Sequence, residues 1–263
     1  MKAKLVYTLL GVVLFNCIIL IFLFCCTNFA KKPIETFHQD PKDNYIESLE
    51  DQIHNFVYLI KEHKIDPDCI ETRENKCESL VMGTASGLVL SSDESSINVL
   101  TAAHFCQSNM PMSREFIVPE GTIVGIANDT PRELNKIAID IDNDLCLLSG
   151  PKYTDEEYSP IKLATDLPKI GDPVFSVAAP NGISGPGIRL VFEGMFGGCA
   201  GKMCMFTLPA TFGSSGGGIY NENGELISIV MAVTQGFENV VFSPTYADVV
   251  NFIYKIDESV DIY

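Results

Sequence analysis

Histidine is scarce in this chain of 263 residues: there are four, none in an H-E-x-x-H pair, which leaves a zinc hydrolase little to be built from. Positive charge is also short. Residues 1–30 contain no acid and only Lys2 and Lys4, so the remainder sets 16 Lys+Arg against 34 Asp+Glu, a net −18. Such a surface repels phosphate backbones and argues against a nucleic-acid partner. Charged residues are only 20% of the chain and apolar ones 46%, which excludes global disorder and allows one large or two small domains. No internal repeat or low-complexity segment is visible. The sequence asks for no cofactor and no metal, and a metal-free hydrolase stays open.

What is present begins with a membrane signal. Residues 5–26 are 22 positions without a charge, flanked by Lys2 and Lys4 before and Lys31 and Lys32 after. At ~1.5 Å per residue a helix of that length spans roughly 33 Å, about one bilayer core. The run is longer than the centre of a cleaved secretory signal and ends in Phe22-Leu23-Phe24-Cys25-Cys26 with no A-x-A pattern, so residues 1–30 read as an uncleaved signal anchor, with a cleaved signal as the alternative. The flanking lysines tie and do not orient it. Cysteines do. Outside the apolar segment stand six, Cys69, Cys77, Cys106, Cys146, Cys199 and Cys204, an even set that favours an extracytoplasmic soluble part. Cys199 with Cys204 and Cys69 with Cys77 are candidates for small-loop disulfides, with free buried thiols as the alternative. Cys146, inside Leu145-Cys146-Leu147-Leu148, reads as a core side chain rather than a bridge.

Residues 31–78 read as a linker followed by an amphipathic helix. Ile46, Leu49, Ile53, Phe56 and Ile60 fall at spacings 3, 4, 3, 4 and predict a helix over 46–60 with one apolar seam, laid on the following domain or used for self-association. From about residue 79 short β-type runs take over: 80–90, 98–102, 115–118, 122–127, 137–141 and 145–148, then 174–178, 190–192, 203–208, 218–220, 226–233 and 239–242. This predicts an all-β domain over 79–256 made of two six-stranded antiparallel barrels, about 79–150 and 165–245, with a closing helix at 246–256.

The strongest local signal is Gly213-Ser214-Ser215-Gly216-Gly217-Gly218, whose glycines allow a tight turn that presents Ser215 with the amides of Gly213 and Ser215 facing one concavity. A phosphate loop is disfavoured because no Lys follows in the P-loop position, and the G-x-S-x-G elbow of α/β-hydrolases fails because every histidine precedes Ser215. A serine nucleophile needs a base and the base an orienting acid. Only His104, at the end of the apolar Val99-Leu100-Thr101-Ala102-Ala103, lies in the β-rich region. For the acid, Asp140, Asp142 and Asp144 would share one face of a regular strand, and Asp144 is the one anchored by the apolar run after it.

Thr101-Ala102-Ala103-His104, Asn143-Asp144-Leu145-Cys146-Leu147-Leu148 and Gly213-Ser214-Ser215-Gly216-Gly217, in the order His, Asp, Ser with gaps of 40 and 71 residues, resemble the signature blocks of chymotrypsin-fold (trypsin-like) serine proteases. Within that clan residues 171–182, Gly194 and Phe242-Ser243-Pro244 resemble the bacterial HtrA-like peptidases. The resemblance implies two barrels with His104, Asp144 and Ser215 in the crevice between them and the amides of Gly213 and Ser215 as oxyanion hole. It also implies a specificity pocket walled by Pro209, Ala210 and Thr211 and by Met231, Ala232 and Val233, with Pro209 at the base position. Two departures stand out: Ser214 replaces the usual Asp or Asn before the nucleophile, and there is neither an I-V-G-G start nor room for a PDZ domain. Trypsin-type zymogen activation is therefore not expected. The sequence thus points to a membrane-anchored serine endopeptidase acting on peptides or proteins. A catalytically silent protease-like domain that binds peptides or scaffolds a membrane-proximal complex is the alternative.

Overall fold

The computed structural model describes residues 49–65, 78–107, 121–234 and 236–259. The chain divides into two units, residues 1–44 and 45–263, and every described residue lies in the second. The anchor at 5–26, the Cys69 and Cys77 pair and the expected strand at 115–118 fall outside the described residues. Among the described residues no helix is long and apolar enough to cross a membrane.

Six strands close a barrel in the order β1-β2-β3-β6-β5-β4: β1 (Phe56–Lys64), β2 (Ser79–Ser92), β3 (Ser96–Ala102), β4 (Thr122–Ala127), β5 (Thr130–Asp140) and β6 (Leu145–Pro151). The continuous apolar runs of β3 and β6 have a two-sided explanation. The pleat sends Val99, Cys146 and Leu148 into the barrel, while Leu100, Leu145 and Leu147 point out into a second core. That outer core is shared with the other half of the molecule through Phe175, Val177, Tyr220 and Leu226.

The helix expected over 46–60 is only half there. Residues 49–54 are helical, but from Phe56 the chain is β1, paired along one side with β2 and along the other with β4. Phe56-Val57-Tyr58-Leu59-Ile60 is as good a strand as a helix by composition, and two ladders of hydrogen bonds that close the barrel decide the matter. The first barrel therefore starts at residue 56 and not at 79. Leu49 and Phe56, two of the seam positions, are buried in the core between the halves, so that part of the seam is laid on the domain itself, while Ile46 lies outside the described residues.

The second half is one seven-stranded sheet, not a second six-stranded barrel. It contains β7 (Pro173–Ala178), β8 (Leu190–Ala200), β9 (Met203–Phe206), β10 (Gly218–Asn221), β11 (Leu226–Ile229), β12 (Ala232–Thr234) and β13 (Phe237–Pro244), in the order β11-β10-β7-β8-β9-β13-β12. The apolar run at 226–233 is broken into β11 and β12 because the Gly217 and Val230 backbones bond each other, turning the chain towards the serine loop. The sheet curls around Val174, Phe196, Phe206, Leu208, Ile219 and Val241. Helix α2 (Tyr246–Ser259) follows, after α1 (Ala103–Cys106) in the first barrel. Thr245 Oγ1 caps its first turn, accepting the Asp248 N–H at 3.2 Å and donating its hydroxyl proton to the Asp248 carboxylate. Val249, Phe252 and Ile256, at spacings 3 and 4, bury the apolar stripe of α2 in the shared core.

Candidate active site

β3 and β6 pair with Ala102 opposite Leu145, so the chain leaves β3 just where it enters β6. His104 lies one residue into α1 and Asp144 one residue before β6, and the pairing brings them together although 40 positions separate them. His104 Nδ1 lies 2.8 Å from Asp144 Oδ2, and Asp144 Oδ1 accepts the His104 backbone N–H at 2.7 Å. The Ala103 N–H adds a third bond, to the Asp144 carbonyl at 3.0 Å. A carboxylate that engages both the ring and the backbone of one histidine fixes the ring plane. It also places the proton on Nδ1, leaving Nε2 as a lone-pair acceptor. Asp140 and Asp142 do not share the face of Asp144. β5 ends at Asp140, residues 141–144 form a turn, and Asp144 has φ +54°. Asp140 instead accepts the Asn143 N–H at 3.1 Å and its side-chain amide at 2.8 Å, bracing that turn.

Two further ties hold the histidine segment. Lys61 Nζ, from β1, donates to the carbonyls of Phe105 at 3.1 Å and Gln107 at 2.5 Å. Cys146 is not a free core thiol: it is disulfide-bonded to Cys106, two residues past His104, while itself two residues past Asp144. The bridge escaped sequence reasoning because its partner comes into range only through the β3–β6 register. The expected Cys199–Cys204 bridge is present and closes the β8–β9 hairpin.

The serine loop shows a regular alternation. Four consecutive carbonyls are taken: Phe212 by the Asn181 N–H, Gly213 by Ser86 Oγ–H at 2.8 Å, Ser214 by the Gly217 N–H at 3.0 Å and Ser215 by the Ser86 N–H at 2.8 Å. The amides of Ser214 and Gly216 are taken as well, by Thr211 and Val230. Among the described residues the N–H groups of Gly213 and Ser215 donate to nothing. In a trans peptide C=O and N–H point in opposite directions, so pinning the Phe212 and Ser214 carbonyls turns these two amides to the other side. Gly213 has φ +89°, and a Cβ there would lie 2.6 Å from the Ala179 carbonyl oxygen, so only glycine fits. A Cβ on Gly216 would strike Thr101 Oγ1 and the Ser86 carbonyl, which seats the loop directly on β2 and β3, three residues ahead of His104. Ser215 itself is half-buried.

The two expected pocket walls both join β13. Ala210 N–H bonds the Glu238 carbonyl at 2.9 Å and Met231 N–H the Phe242 carbonyl at 3.0 Å. Ala210 is buried, Thr211, Met231 and Val233 are half-buried, and Pro209 and Ala232 are exposed. Val233 also packs on the core of the second sheet. Among the described residues no group of three His, Cys, Asp or Glu side chains is placed to hold a metal ion.

A family model described as a trypsin-like peptidase domain matches residues 85–229, more than half of the chain. The chain belongs to this family. Membership supports a serine endopeptidase, and the matched span includes His104, Asp144, Ser215, Gly213 and Ser86. No curated protein matches. Solved structures do. The Rv3671c protease of M. tuberculosis, crystallised in an inactive form as a mutant, superposes with TM-score 0.57 at 17% identity over 83% of this chain and 94% of that one. The active form of the same protease gives 0.55 at 18% over 81% and 83%, and the serine endoprotease of Yersinia pestis 0.58 at 18% over 80% and 65%. These likenesses establish the chymotrypsin-type fold.

Proposed function

We propose that the chain is a membrane-anchored serine endopeptidase that cleaves peptide bonds through Ser215, His104 and Asp144. His104 Nε2 takes the proton from Ser215 Oγ as that oxygen bonds the scissile carbonyl carbon. The carbonyl electrons move onto oxygen, where the amides of Gly213 and Ser215 receive the charge. On collapse the C–N bond breaks, the leaving amine takes the proton from His104, and the acyl group stays on Ser215. Water, deprotonated by the same nitrogen, then adds to the acyl carbon; the bond from that carbon to Ser215 Oγ breaks, Oγ takes the proton back from His104, and the acid leaves. Asp144 keeps the proton of Nδ1 in place throughout.

The observation that carries this reading is the pair of uncommitted amides at Gly213 and Ser215, between carbonyls at Phe212, Gly213, Ser214 and Ser215 and amides at Ser214 and Gly216 that are taken. A silent protease-like domain would be free to bond them internally. A fluorophosphonate probe should label the wild-type protein and not Ser215→Ala or His104→Ala. A wild-type protein that stays unlabelled and cleaves no peptide overturns the reading in favour of the silent domain.

The anchor is residues 5–26, and the catalytic part lies on the extracytoplasmic side, in keeping with the Cys106–Cys146 and Cys199–Cys204 bridges. Protease added to intact cells or spheroplasts should digest the C-terminal part, and full protection would reverse the orientation. The residue before the scissile bond is a small or medium apolar one. Pro209 offers no carboxylate to pair with a buried Lys or Arg, and Val233 narrows the entrance that a glycine would open to aromatic rings. A fluorogenic peptide library should show preference for Val, Ala, Thr or Leu, and preference for Arg or Lys would refute this pocket.

A further inference from the structure

Ser86 is a serine in the middle of β2, wholly buried, and every polar group it owns is engaged. Its N–H donates to the Ser215 carbonyl at 2.8 Å. Its Oγ donates to the Gly213 carbonyl at 2.8 Å and accepts the Ala179 N–H at 2.9 Å. Its carbonyl accepts the Thr101 hydroxyl at 2.7 Å. One residue of the first barrel thus grips the serine loop of the second half at two carbonyls, on either side of Ser214. The same hydroxyl also ties down the turn that begins at Ala179, whose Asn181 N–H holds the Phe212 carbonyl. By contrast the Ser214 hydroxyl, buried beneath the loop, accepts the Thr211 N–H of its own loop, at 3.3 Å, and reaches no group outside that loop among the described residues.

We propose that Ser86 is a positioning residue for the oxyanion-binding amides: its hydroxyl holds the peptide plane after Gly213 directly and, by anchoring Ala179 in the turn that carries Asn181, the plane before it, and so aims the Gly213 N–H at the developing oxyanion. The inference rests on the catalytic reading given above and deepens it. A glycine at φ +89° has little of its own to hold its peptide planes, since the mirror-image orientations are open to it as well. Anchors on the carbonyls before and after it remove that freedom. The Phe212 carbonyl is held by Asn181 and the Gly213 carbonyl by Ser86, and both anchors meet at the Ser86 hydroxyl through Ala179. The bond crosses from the first barrel to the second sheet, so the oxyanion loop is set by the docking of the two halves and needs no charged group beneath it.

The test compares Ser86→Ala with Ser228→Ala in the full chain. Ser228 is equally buried and its hydroxyl donates to the Pro244 carbonyl at 2.8 Å, so its loss also removes one buried bond but touches nothing in the serine loop. Ser86→Ala should lower kcat on a peptide substrate about 100-fold, the order expected when an oxyanion donor is misaimed, with KM within about threefold. The oxyanion of a peptidyl trifluoromethyl ketone adduct, followed by ¹³C NMR, should titrate at higher pH than in the wild type, because weaker donation favours the protonated form. Ser228→Ala should match the wild type in both readouts. If Ser86→Ala does not fold, Ser86→Cys, which keeps a weak donor in place, should lower kcat by a smaller factor and still raise the titration. Wild-type kcat and wild-type titration in the variant that folds overturn the Ser86 assignment and leave the proposed function standing. A wild-type protein with neither peptidase activity nor fluorophosphonate reactivity overturns both.

Discussion

Asp144 sits at φ +54°, a backbone conformation that an L residue with a short polar side chain tolerates best. Asparagine fits that backbone and can keep the bond to the His104 N–H, but its NH₂ presented to Nδ1 forces the proton to Nε2, the nitrogen that must accept from Ser215. Asp144→Asn should therefore fold with a near wild-type Tm and lose kcat by about 10³- to 10⁴-fold, whereas Asp142→Asn, in the turn, should be near wild type in steady-state assays. Gly213→Ala tests the neighbouring point. Its Cβ meets the Ala179 oxygen at 2.6 Å at an unfavourable φ, so kcat should fall at least about 100-fold as the amide leaves its direction. At this scale the three motif residues were legible because each block carries its own small-residue context: Ala102-Ala103 before His104, Asn143 before Asp144, glycines around Ser215. Ser86 was not. In Thr84-Ala85-Ser86-Gly87 it is one small polar residue within a strand, and its meaning depends entirely on a loop 127 positions away.

Among the elements, α1 is too short to hold itself together, and its place is fixed from outside by Asp144, Lys61 and the Cys106–Cys146 bridge. The bridge closes a loop of about 40 residues, for which the chain-entropy account gives on the order of 3–4 kcal/mol. The double variant Cys106→Ala/Cys146→Ala should melt roughly 10 °C lower by calorimetry. Because the three backbone and ring bonds to Asp144 remain, kcat measured well below that melting point should fall far less than stability does. A loss of kcat as large as that of Asp144→Asn would mean that the bridge, and not the carboxylate, aligns the pair. Element boundaries were read well where a short apolar run meets clear turn residues, as in β4 and β7, which match the expected 122–127 and 174–178 within a residue. They were read badly where local and long-range signals compete. Residues 46–60 carry a helical spacing, but strand pairing on two edges claims 56–64, and a barrel's closing strand announces itself only through partners far away in the chain.

For the molecule as a whole, charge acts in two ways. The net charge of −16 should raise kcat/KM for substrates bearing Lys or Arg away from the scissile bond, an advantage that fades as salt shortens the Debye length below about 8 Å; neutral substrates should show a flat salt profile in the same stopped assays. Inside, Arg132 of β5 is fully buried and gives both terminal nitrogens to Glu156, which pins the segment connecting the two halves to the first barrel. Burial pushes the Glu156 carboxyl up, but the hydrogen bonds from Arg132 and the Tyr153 amide outweigh it and leave it below its ordinary value of 4.5. A lowered carboxylate pKa contributes stability that is complete above the unfolded value and is lost as pH falls through the folded one. The Tm gap between wild type and Glu156→Gln should thus be widest above about pH 5 and shrink in more acidic buffer. A gap independent of pH would mean that the pair contributes packing alone.

The core between the two halves takes Leu49 and Phe56 from the beginning of the described chain and Val249, Phe252 and Ile256 from its end. On a ribosome or in a translocation channel these arrive at opposite ends of the timetable. All six strands of the first barrel lie before residue 152, whereas the serine loop that docks on Ser86 and Thr101 comes more than 60 positions later and the last helix later still. A chain still being made therefore lacks Ser215 until four-fifths of it has been joined, and any cleavage of its neighbours is deferred by the order of delivery alone.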